Sequence, residues 1–272
     1  MHSFDTRPIG VFDSGLGGLT AVKELKNILP NETIVYFGDT GRVPYGTRSN
    51  DTIIKYVRQD IRFLLTHGVK AIVAACGTAS SVALPQLNDE FGIPLIGVLN
   101  PVCQAAVKAS KCKKIGVLGT TGTIQSGAYK KGICQIDQTF SVYEKACPMF
   151  VPLVENGYIE SEATYIIARE YLAPLMEEKV DTIILGCTHY PLLTKVITDI
   201  VGDGVFIINA GYETAGYTKT MLSQQGLLTD SPHKGDCRYF VSDDAEKFSY
   251  LGGMFLEETI PAGVTKIDIE VF

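Results

Sequence analysis

The sequence lacks the features of several protein classes. Lys and Arg number 24 against 30 Asp and Glu, a net charge of −6, so the basic excess that nucleic-acid or membrane-surface partners require is missing. No apolar run approaches the roughly 18 residues of a transmembrane helix, and Met1–Gly10 has no apolar signal core. Charged residues make up 20%, too few for a disordered chain. We therefore expect a globular cytoplasmic protein with neither a nucleic-acid nor a membrane partner.

Closely paired cysteines are also absent. No two of the seven lie two to four residues apart, which argues against zinc-finger and Cys-x-x-Cys redox motifs. An odd number of scattered thiols suits a reducing compartment rather than a disulfide framework. The thiols are Cys76, Cys103, Cys112, Cys134, Cys147, Cys187 and Cys237.

What the sequence does contain is an alternation of short apolar runs with segments of helical period, which is typical of an α/β protein. The runs have consecutive apolar residues, as strands buried on both faces of a parallel sheet do. Ser49 is the predicted N-cap of the helix after the second strand. The first four predicted strands are Ile9–Phe12, Thr33–Phe37, Val69–Ala75 and Ile93–Leu99.

The last part of the chain continues the pattern. We predict a helix from about Glu213 to Gln225 and a strand at Arg238–Val241. Asp243 is the predicted cap of a helix to about Leu251, and the alternating Thr265–Val271 predicts a strand at a sheet edge.

The second half of the chain repeats the first. Val69–Cys76 aligns with Val180–Cys187 at an offset of 111 residues, and Ile9–Ser14 aligns with Ile115–Thr120 at 106. A third match, Leu99–Pro101 with Ile208–Ala210 at 109, follows in the same order.

We therefore predict two similar parallel-sheet α/β domains related by internal pseudo-symmetry, with the active site in the cleft between them. The first domain comprises residues 1–98 plus 211–272, and the second comprises residues 99–210.

The duplication makes Cys76 and Cys187 symmetry mates at the ends of predicted strands, where ligands bind in open parallel sheets. Cys76 precedes a helical segment, whose N-terminus is expected to favour the thiolate and lower the pKa. An acid and a base on opposite faces of a substrate invert a stereocentre without redox change. Asp13 is the candidate helper for Cys76, and His189 is the candidate helper for Cys187.

Other motifs are less specific. Ser14–Gly18 and Gly119–Thr123 both suit anion binding at a helix start, but neither is a P-loop or a G-x-G-x-x-G motif. Ser14 lacks the G-x-S-x-G pattern of serine hydrolases. Cys187 and His189 lack a third ligand cluster, so we expect no metal site.

Four motifs together resemble glutamate racemase, within the aspartate/glutamate racemase superfamily. The Gly-Cys-Thr-His-Tyr-Pro motif is the specific part, because aspartate racemases usually carry Glu at the position of His189. The resemblance covers nearly the whole chain and ends with Tyr239–Asp244. The motifs are Phe12–Gly18, Val43–Gly46, Cys76–Ala79 and Gly186–Pro191.

The resemblance implies a cofactor-independent isomerase that interconverts L- and D-glutamate and supplies D-glutamate for peptidoglycan. It implies that Cys76 acts on D-glutamate and Cys187 on L-glutamate, and that the protein is a homodimer. Asp13, His189 and, less securely, Glu155 match positions that assist the thiols. The implied substrate-binding residues are Asp13, Ser14, Pro44, Tyr45, Gly46, Gly77, Thr78, Thr120, Thr188 and His189.

Two residues depart from the family pattern. Gly77 stands where Asn is usual, so an amide that contacts the substrate is lost, and we expect water to fill the gap and Gly77→Asn to restore a polar contact. Asn209 stands where many members have Asp.

Two alternatives stay open at this point. One is a sister racemase acting on aspartate or another amino acid, which Gly77 favours and His189 disfavours. The other is a non-catalytic module that binds a small dicarboxylate, with incidental thiols.

Overall fold

The computed structural model describes residues 5–260 and 263–272, and within these ranges the chain forms ten strands and twelve helices. The strands are β1 (Ile9–Asp13), β2 (Ile34–Gly38), β3 (Ala71–Ala74), β4 (Leu95–Gly97), β5 (Lys114–Gly119), β6 (Ser141–Ala146), β7 (Thr182–Leu185), β8 (Phe206–Asn209), β9 (Cys237–Val241) and β10 (Thr265–Lys266).

The helices surround the strands, and three short 3₁₀ turns at Tyr45–Thr47, Tyr190–Leu193 and Ile269–Val271 supplement them. The helices are α1 (Leu19–Ile28), α2 (Asn50–Leu65), α3 (Gly77–Val82), α4 (Leu84–Leu87), α5 (Leu99–Ala109), α6 (Thr121–Ser126), α7 (Ala128–Ile136), α8 (Phe150–Glu155), α9 (Glu162–Glu177), α10 (Thr194–Val201), α11 (Ala210–Gln224) and α12 (Ala245–Leu256).

Two parallel sheets organise the chain. The first has the order β10-β9-β2-β1-β3-β4, and the second has the order β6-β5-β7-β8. Each pairing in both sheets is parallel. All residues of β1, β2, β3 and β7 are buried, as consecutive apolar residues in a helix-covered sheet require. The predicted fold class is confirmed.

The internal repeat is visible in the strand order, since β2-β1-β3-β4 corresponds to β6-β5-β7-β8. The bounds of β3 and β7 differ by the predicted 111 residues. The third sequence match is displaced by two residues, because Leu99 begins α5 whereas Ile208 still lies in β8. Aligning the start of α5 with the start of α11, at Ala210, restores the offset of 111.

The core is continuous between the sheets. One hydrophobic cluster includes Ile9 and Val73 of the first sheet together with Leu118 and Ile183 of the second. Separate clusters cover the other face of each sheet, around Phe37 and around Tyr129. Helices α1 and α11 pack against each other. The two halves are therefore held in one packed body.

The C-terminal strands β9 and β10 return to the first sheet, beside β2. The domain limits, 1–98 plus 211–272 and 99–210, stay a prediction, and residues 1–4 and 261–262 lie outside the described residues. Strand β4 covers only Leu95–Gly97 of the predicted Ile93–Leu99.

Helix caps confirm some predictions and correct others. Ser49 caps α2 by accepting from the Thr52 N–H at 3.4 Å, as predicted. The cap of α12 is Asp244, which accepts from the Lys247 N–H, so the prediction of Asp243 is wrong. Asp243 instead pairs with Lys266 at 3.0 Å. Asn209 accepts from two N–H groups at the start of α11, which gives this departure from the family a structural role.

The predicted C-terminal strand is mostly wrong. Only Thr265–Lys266 pairs with β9, at the edge of the sheet. Asp268 then accepts from the Glu270 N–H at 3.0 Å and begins the 3₁₀ turn. The alternation of Ile267 and Ile269 arises because both side chains pack on the first sheet.

A buried ion pair joins the start of β3 to the loop before β2. Lys70 Nζ lies 2.6 Å from Glu32 Oε2, and both side chains are almost fully buried. Lys70 Nζ also donates to the Asp5 carbonyl oxygen at 2.9 Å. Removal of one partner from such a pair leaves an uncompensated charge inside the protein.

We expect Lys70→Met to lower the free energy of unfolding by about 3–5 kcal/mol, measured by urea denaturation. Lys70→Met combined with Glu32→Gln should regain much of this loss. The exposed Lys266–Asp243 pair is the control, and Lys266→Met should cost less than about 1 kcal/mol. Equal losses for the two lysines would contradict a special contribution of the buried pair.

Candidate active site

The two candidate thiols meet at a cavity between the carboxyl ends of the two sheets. Cys76 follows β3, and Cys187 follows β7. The cavity measures about 30 Å³, room for one or two water molecules. It is lined by Ser14, Val43, Pro44, Tyr45, Gly46, Cys76, Gly77, Thr78, Thr120, Thr123, Val151, Gly186, Cys187, Thr188 and His189.

The cavity brings together most residues that the sequence predicted. Among the predicted set, only Asp13 and Glu155 are not in its wall, and both lie directly behind it. Four wall residues were not among the predicted site residues, although three of them lie in motifs named from the sequence. They are Val43, Thr123 and Gly186, which lie in those motifs, and Val151. The signal for Thr123 was its spacing from Thr120, because Ser or Thr three residues after an N-cap is well placed to share the cap's hydrogen bonds.

Cys76 is the N-cap of α3, as its position after a strand predicted. Its Sγ accepts from the Ala79 N–H at 3.5 Å and donates to Ser14 Oγ at 3.7 Å. Burial nevertheless raises the pKa of the Cys76 thiol to about 11, and the nearby Asp13 carboxylate adds to the rise. The prediction of a lowered pKa is wrong for this closed site, because loss of water outweighs the short helix.

Cys187 has a similar burial but different neighbours. It is 9% exposed, and burial raises the pKa of its thiol above the ordinary range. The main-chain N–H of His189 donates to the sulfur and opposes this rise, whereas the charges of Asp13 and Cys76 add to it. Burial therefore favours the protonated form of both thiols.

Asp13, at the end of β1, links the two halves. Its Oδ2 accepts from the Gly15 N–H at 2.9 Å, and its Oδ1 accepts from Thr188 Oγ1 at 3.3 Å. Burial raises the pKa of the Asp13 carboxyl, while His189 opposes this rise. The negative charge of Asp13 reaches Cys76 and Cys187 alike, so it is not confined to the Cys76 side.

His189 and Glu155 form a hydrogen-bonded pair. Nε2 of His189 lies 3.0 Å from Glu155 Oε1, at the end of α8. Nδ1 of His189 is buried and has no hydrogen-bond partner among the described residues. It faces Gly17, where a Cβ would lie 2.5 Å from Nδ1. Glu155 therefore orients the imidazole rather than touching the cavity.

Three threonine hydroxyls form a cluster at one wall. Thr78 Oγ1 lies 3.2 Å from Thr120 Oγ1 and 3.3 Å from Thr123 Oγ1, and the last two are 3.0 Å apart. Thr78 belongs to α3, whereas Thr120 and Thr123 belong to the start of α6. The cluster thus spans both halves with groups that both donate and accept hydrogen bonds.

Tyr45 does not present its hydroxyl to the cavity. The hydroxyl lies 2.5 Å from Asp39 Oδ2 and 2.8 Å from Asp60 Oδ2, which together occupy its hydrogen-bonding capacity. Of the predicted donors at Tyr45 and Gly46, only main-chain groups therefore remain available to a substrate.

The space beside Gly77 is filled by the other half of the protein. A Cβ at Gly77 would lie 2.5 Å from the Gly186 carbonyl oxygen, closer than real Cβ atoms approach such an atom. Similarly, a Cβ at Gly122 would lie 2.8 Å from the Gly46 carbonyl oxygen. A side chain at position 77 therefore requires Gly186 to move, and the expectation that water fills a gap at Gly77 and that Asn restores a polar contact stays a prediction.

Comparison with known proteins identifies the family. A sequence profile of the family described as Asp/Glu/Hydantoin racemase matches residues 20–212. A glutamate racemase of Chlorobaculum tepidum is 46% identical over 255 residues, which cover 93% of this chain and 94% of that protein. The chain belongs to the glutamate racemase family. The predicted enzyme class, an amino-acid racemase and hence an isomerase, is confirmed.

Solved structures of family members share the fold. The glutamate racemase isoform RacE1 of Bacillus anthracis superposes with a TM-score of 0.93 at 39% identity, covering 97% of this chain and 98% of that chain. The glutamate racemase of Francisella tularensis, solved in complex with D-glutamate, gives 0.92 at 36% identity, covering 99% and 100%. These relatives share both the two-sheet arrangement and its connectivity.

The part of the chain that the structure describes contains neither a metal-binding cluster nor a membrane-spanning helix. Among residues 5–260 and 263–272, no group of three or more His, Cys, Asp or Glu side chains is arranged to hold a metal ion. Among the same described residues, no helix is both long enough and apolar enough to cross a membrane.

The Gly77–Gly186 contact leads to a prediction for this family member. Gly77→Ala should hold the halves apart and lower kcat/KM by about a hundredfold, because sub-ångström positioning at a reacting centre is lost. Gly216→Ala is the matched control, since nothing lies within 4 Å of a Cβ there. Unchanged kcat/KM in Gly77→Ala would show that the contact does not limit closure.

Proposed function

We propose that the protein interconverts L- and D-glutamate by a two-base mechanism in which Cys76 and Cys187 exchange roles. The observation that supports this most strongly is the placement of two buried thiols at equivalent strand ends, in the wall of one cavity. Incidental cysteines would have no reason to occupy corresponding positions of a duplicated fold and face the same space.

In the direction from L- to D-glutamate, the Cys187 thiolate removes the α-proton and becomes a thiol. The electron pair left on the α-carbon is delocalised into the adjacent carboxyl group. The Cys76 thiol then delivers its proton to the opposite face and becomes a thiolate. The reverse reaction starts with Cys76. One proton leaves and one returns without a change of oxidation state, so the chemistry requires no electron carrier. We assign no role to pyridoxal phosphate.

The elevated thiol pKa values define what the substrate must supply. With the pKa of Cys76 at about 11, the thiolate is scarce at neutral pH unless a positive charge lies beside it. The α-ammonium group of an amino acid is positive and would stabilise a thiolate beside it. The Asp13 carboxylate lies behind the cavity wall, where its negative charge would attract that ammonium group. His189, oriented by Glu155, assists the Cys187 side.

Recognition of the two substrate carboxylates relies on neutral donors, because no Lys or Arg among residues 5–260 and 263–272 lines the cavity. The hydroxyls of Ser14, Thr78, Thr120 and Thr188 and the main-chain N–H groups of Gly46 and Gly77 are the donors. Since the cavity is smaller than an amino acid, the walls must separate for entry and close again for reaction. D-Glutamate made in this way would supply peptidoglycan synthesis. We propose that the enzyme acts in the cytoplasm as a homodimer.

Single-cysteine variants test the mechanism. Cys76→Ser and Cys187→Ser should each lower racemisation by at least about a thousandfold, since a hydroxyl of pKa far above that of a thiol replaces one base. Racemisation is measured by the change of optical rotation, and α-proton exchange of each glutamate enantiomer is measured in deuterated water. Cys103→Ser, a buried thiol outside the cavity, is the matched control.

The variants also distinguish the roles of the thiols. One-sided exchange should survive in opposite enantiomers for the two variants, because each retains a different base. Full turnover in both would contradict the two-base mechanism, and binding without exchange in the unaltered protein would leave only a dicarboxylate-binding module.

The substrate itself is tested by comparing kcat/KM for glutamate and aspartate without added cofactor. We expect glutamate to be preferred by at least about a hundredfold, since a missing methylene misplaces the side-chain carboxylate against its buried donors. Preference for aspartate would overturn the assignment in favour of the sister racemase that Gly77 suggests.

A further inference from the structure

A buried polar network lies beneath the loop that carries Pro44, Tyr45 and Gly46. The carboxyl groups of Asp39 and Asp60 are both fully buried there, and the Tyr45 hydroxyl lies between them. None of the steps of proton transfer uses these carboxyls, so the network requires a separate explanation.

The number of hydrogens in the network is set by its geometry. The Tyr45 hydroxyl has one hydrogen, yet its oxygen lies 2.5 Å from Asp39 Oδ2 and 2.8 Å from Asp60 Oδ2. If both carboxyls were ionised, one of these close contacts would press an anionic oxygen against a lone pair in a dry site. A second hydrogen is therefore needed, and one of the two carboxyls must carry it.

The remaining partners show which carboxyl carries the hydrogen. Asp39 also accepts from Arg42 Nε at 2.7 Å and from Ser242 Oγ at 2.7 Å. Asp60, among the described residues, has one further polar contact, Arg42 Nη2 at 3.2 Å. The carboxyl that accepts more hydrogen bonds keeps the negative charge, because those bonds stabilise the ionised form. The ionised group is therefore Asp39, and the protonated group is Asp60.

We propose that Asp60 is a positioning residue, held as a neutral carboxylic acid that donates to the Tyr45 hydroxyl, which in turn donates to the Asp39 carboxylate. This chain of hydrogen bonds fixes the main chain of Tyr45–Gly46. Gly46 touches Thr120 and Gly122 of the other half, so the network also determines how the cavity closes. The consequence for substrate rests on the proposed function, whereas the position of the proton does not.

The surroundings of Asp60 make its ionisation pH-dependent. Burial and the Asp39 carboxylate raise the pKa of Asp60 well above its usual range, and Arg42 opposes this rise. The titratable and charged groups around the network are Asp13, Asp39, Arg42, Tyr45, Lys55 and Glu270.

The sign of the pH effect follows from proton binding. Because the folded protein holds the Asp60 proton more tightly than the unfolded chain, stability falls as pH rises above the unfolded pKa, until the folded pKa is passed. An amide at position 60 has no such dependence. It can still donate to Tyr45 and accept from Arg42.

A matched pair of variants tests the position of the proton. The measurement is the urea midpoint of the full-length protein, for the unaltered chain, Asp60→Asn and Asp39→Asn, between about pH 6 and about pH 9. As pH rises, the unfolding equilibrium constant of the unaltered protein should increase relative to that of Asp60→Asn, by up to about tenfold per pH unit. Asp39→Asn should be less stable at every pH, because Arg42 and Tyr45 lose their carboxylate.

Other results would overturn the assignment. A pH-dependent gain in Asp39→Asn would move the proton to Asp39. A constant difference between Asp60→Asn and the unaltered protein would show that Asp60 is already ionised. Failure of Asp60→Asn to fold would also contradict the proposal, since the amide meets every hydrogen bond of the neutral acid.

The positioning effect is measured separately, by the pH profile of KM. In the unaltered enzyme KM should rise towards alkaline pH more than in Asp60→Asn, while kcat changes less. Tyr45→Phe should raise KM by about tenfold at all pH values, the cost of one lost charge-assisted hydrogen bond. Identical KM profiles for the unaltered enzyme and Asp60→Asn would overturn the positioning effect. The unfolding experiment measures no racemisation, so failure of the proposed function would leave the proton assignment intact.

Discussion

Direct contact between main chains across the cleft is the constraint on which the site depends. Gly77 meets the Gly186 carbonyl, and Gly122 meets the Gly46 carbonyl, with no side chain to keep the halves apart. This approach removes water from both thiols and from Asp13, and desolvation then dominates the pKa of each. The packing of the cleft therefore determines these pKa values, because any side chain that widened the cleft would admit water to the thiols and to Asp13.

The repeated fold supplies two equivalent positions but not two equivalent environments. Cys76 receives the Ala79 N–H and contacts Ser14, whereas Cys187 receives the His189 N–H. The strands that carry the thiols are duplicated, but the loops after them differ in sequence. A symmetric scaffold with unlike loops is well suited to act on enantiomers, because the two faces of a substrate present the same atoms in different directions.

Much of the site could be predicted because local sequence determines where a strand ends. The offset of 111 residues identified Cys76 and Cys187 as equivalent positions. The motifs that contain Ser14, Gly46 and Thr188 all contribute residues to the wall of one cavity. The direction of the Cys76 pKa shift could not be predicted, since burial arises from the second half of the chain rather than from the adjacent helix.

The same limit explains the other errors. The hydroxyl of Tyr45 is bound by Asp60 from α2, which follows it in the chain by 15 residues. At the cap of α12, two adjacent aspartates were available, and the pairing of Asp243 with Lys266 on β10 left the cap to Asp244. Each error concerns a contact between segments that are distant in sequence.

The sheet order has a consequence for synthesis on the ribosome. All strands of the second sheet lie between Lys114 and Asn209, so that sheet is complete once this stretch has emerged. The first sheet must wait, because β2 pairs with β9, about two hundred residues later. During translation, Ile34–Gly38 therefore has an unpaired edge until Cys237–Val241 arrives, and the half that is begun first is the half that is finished last.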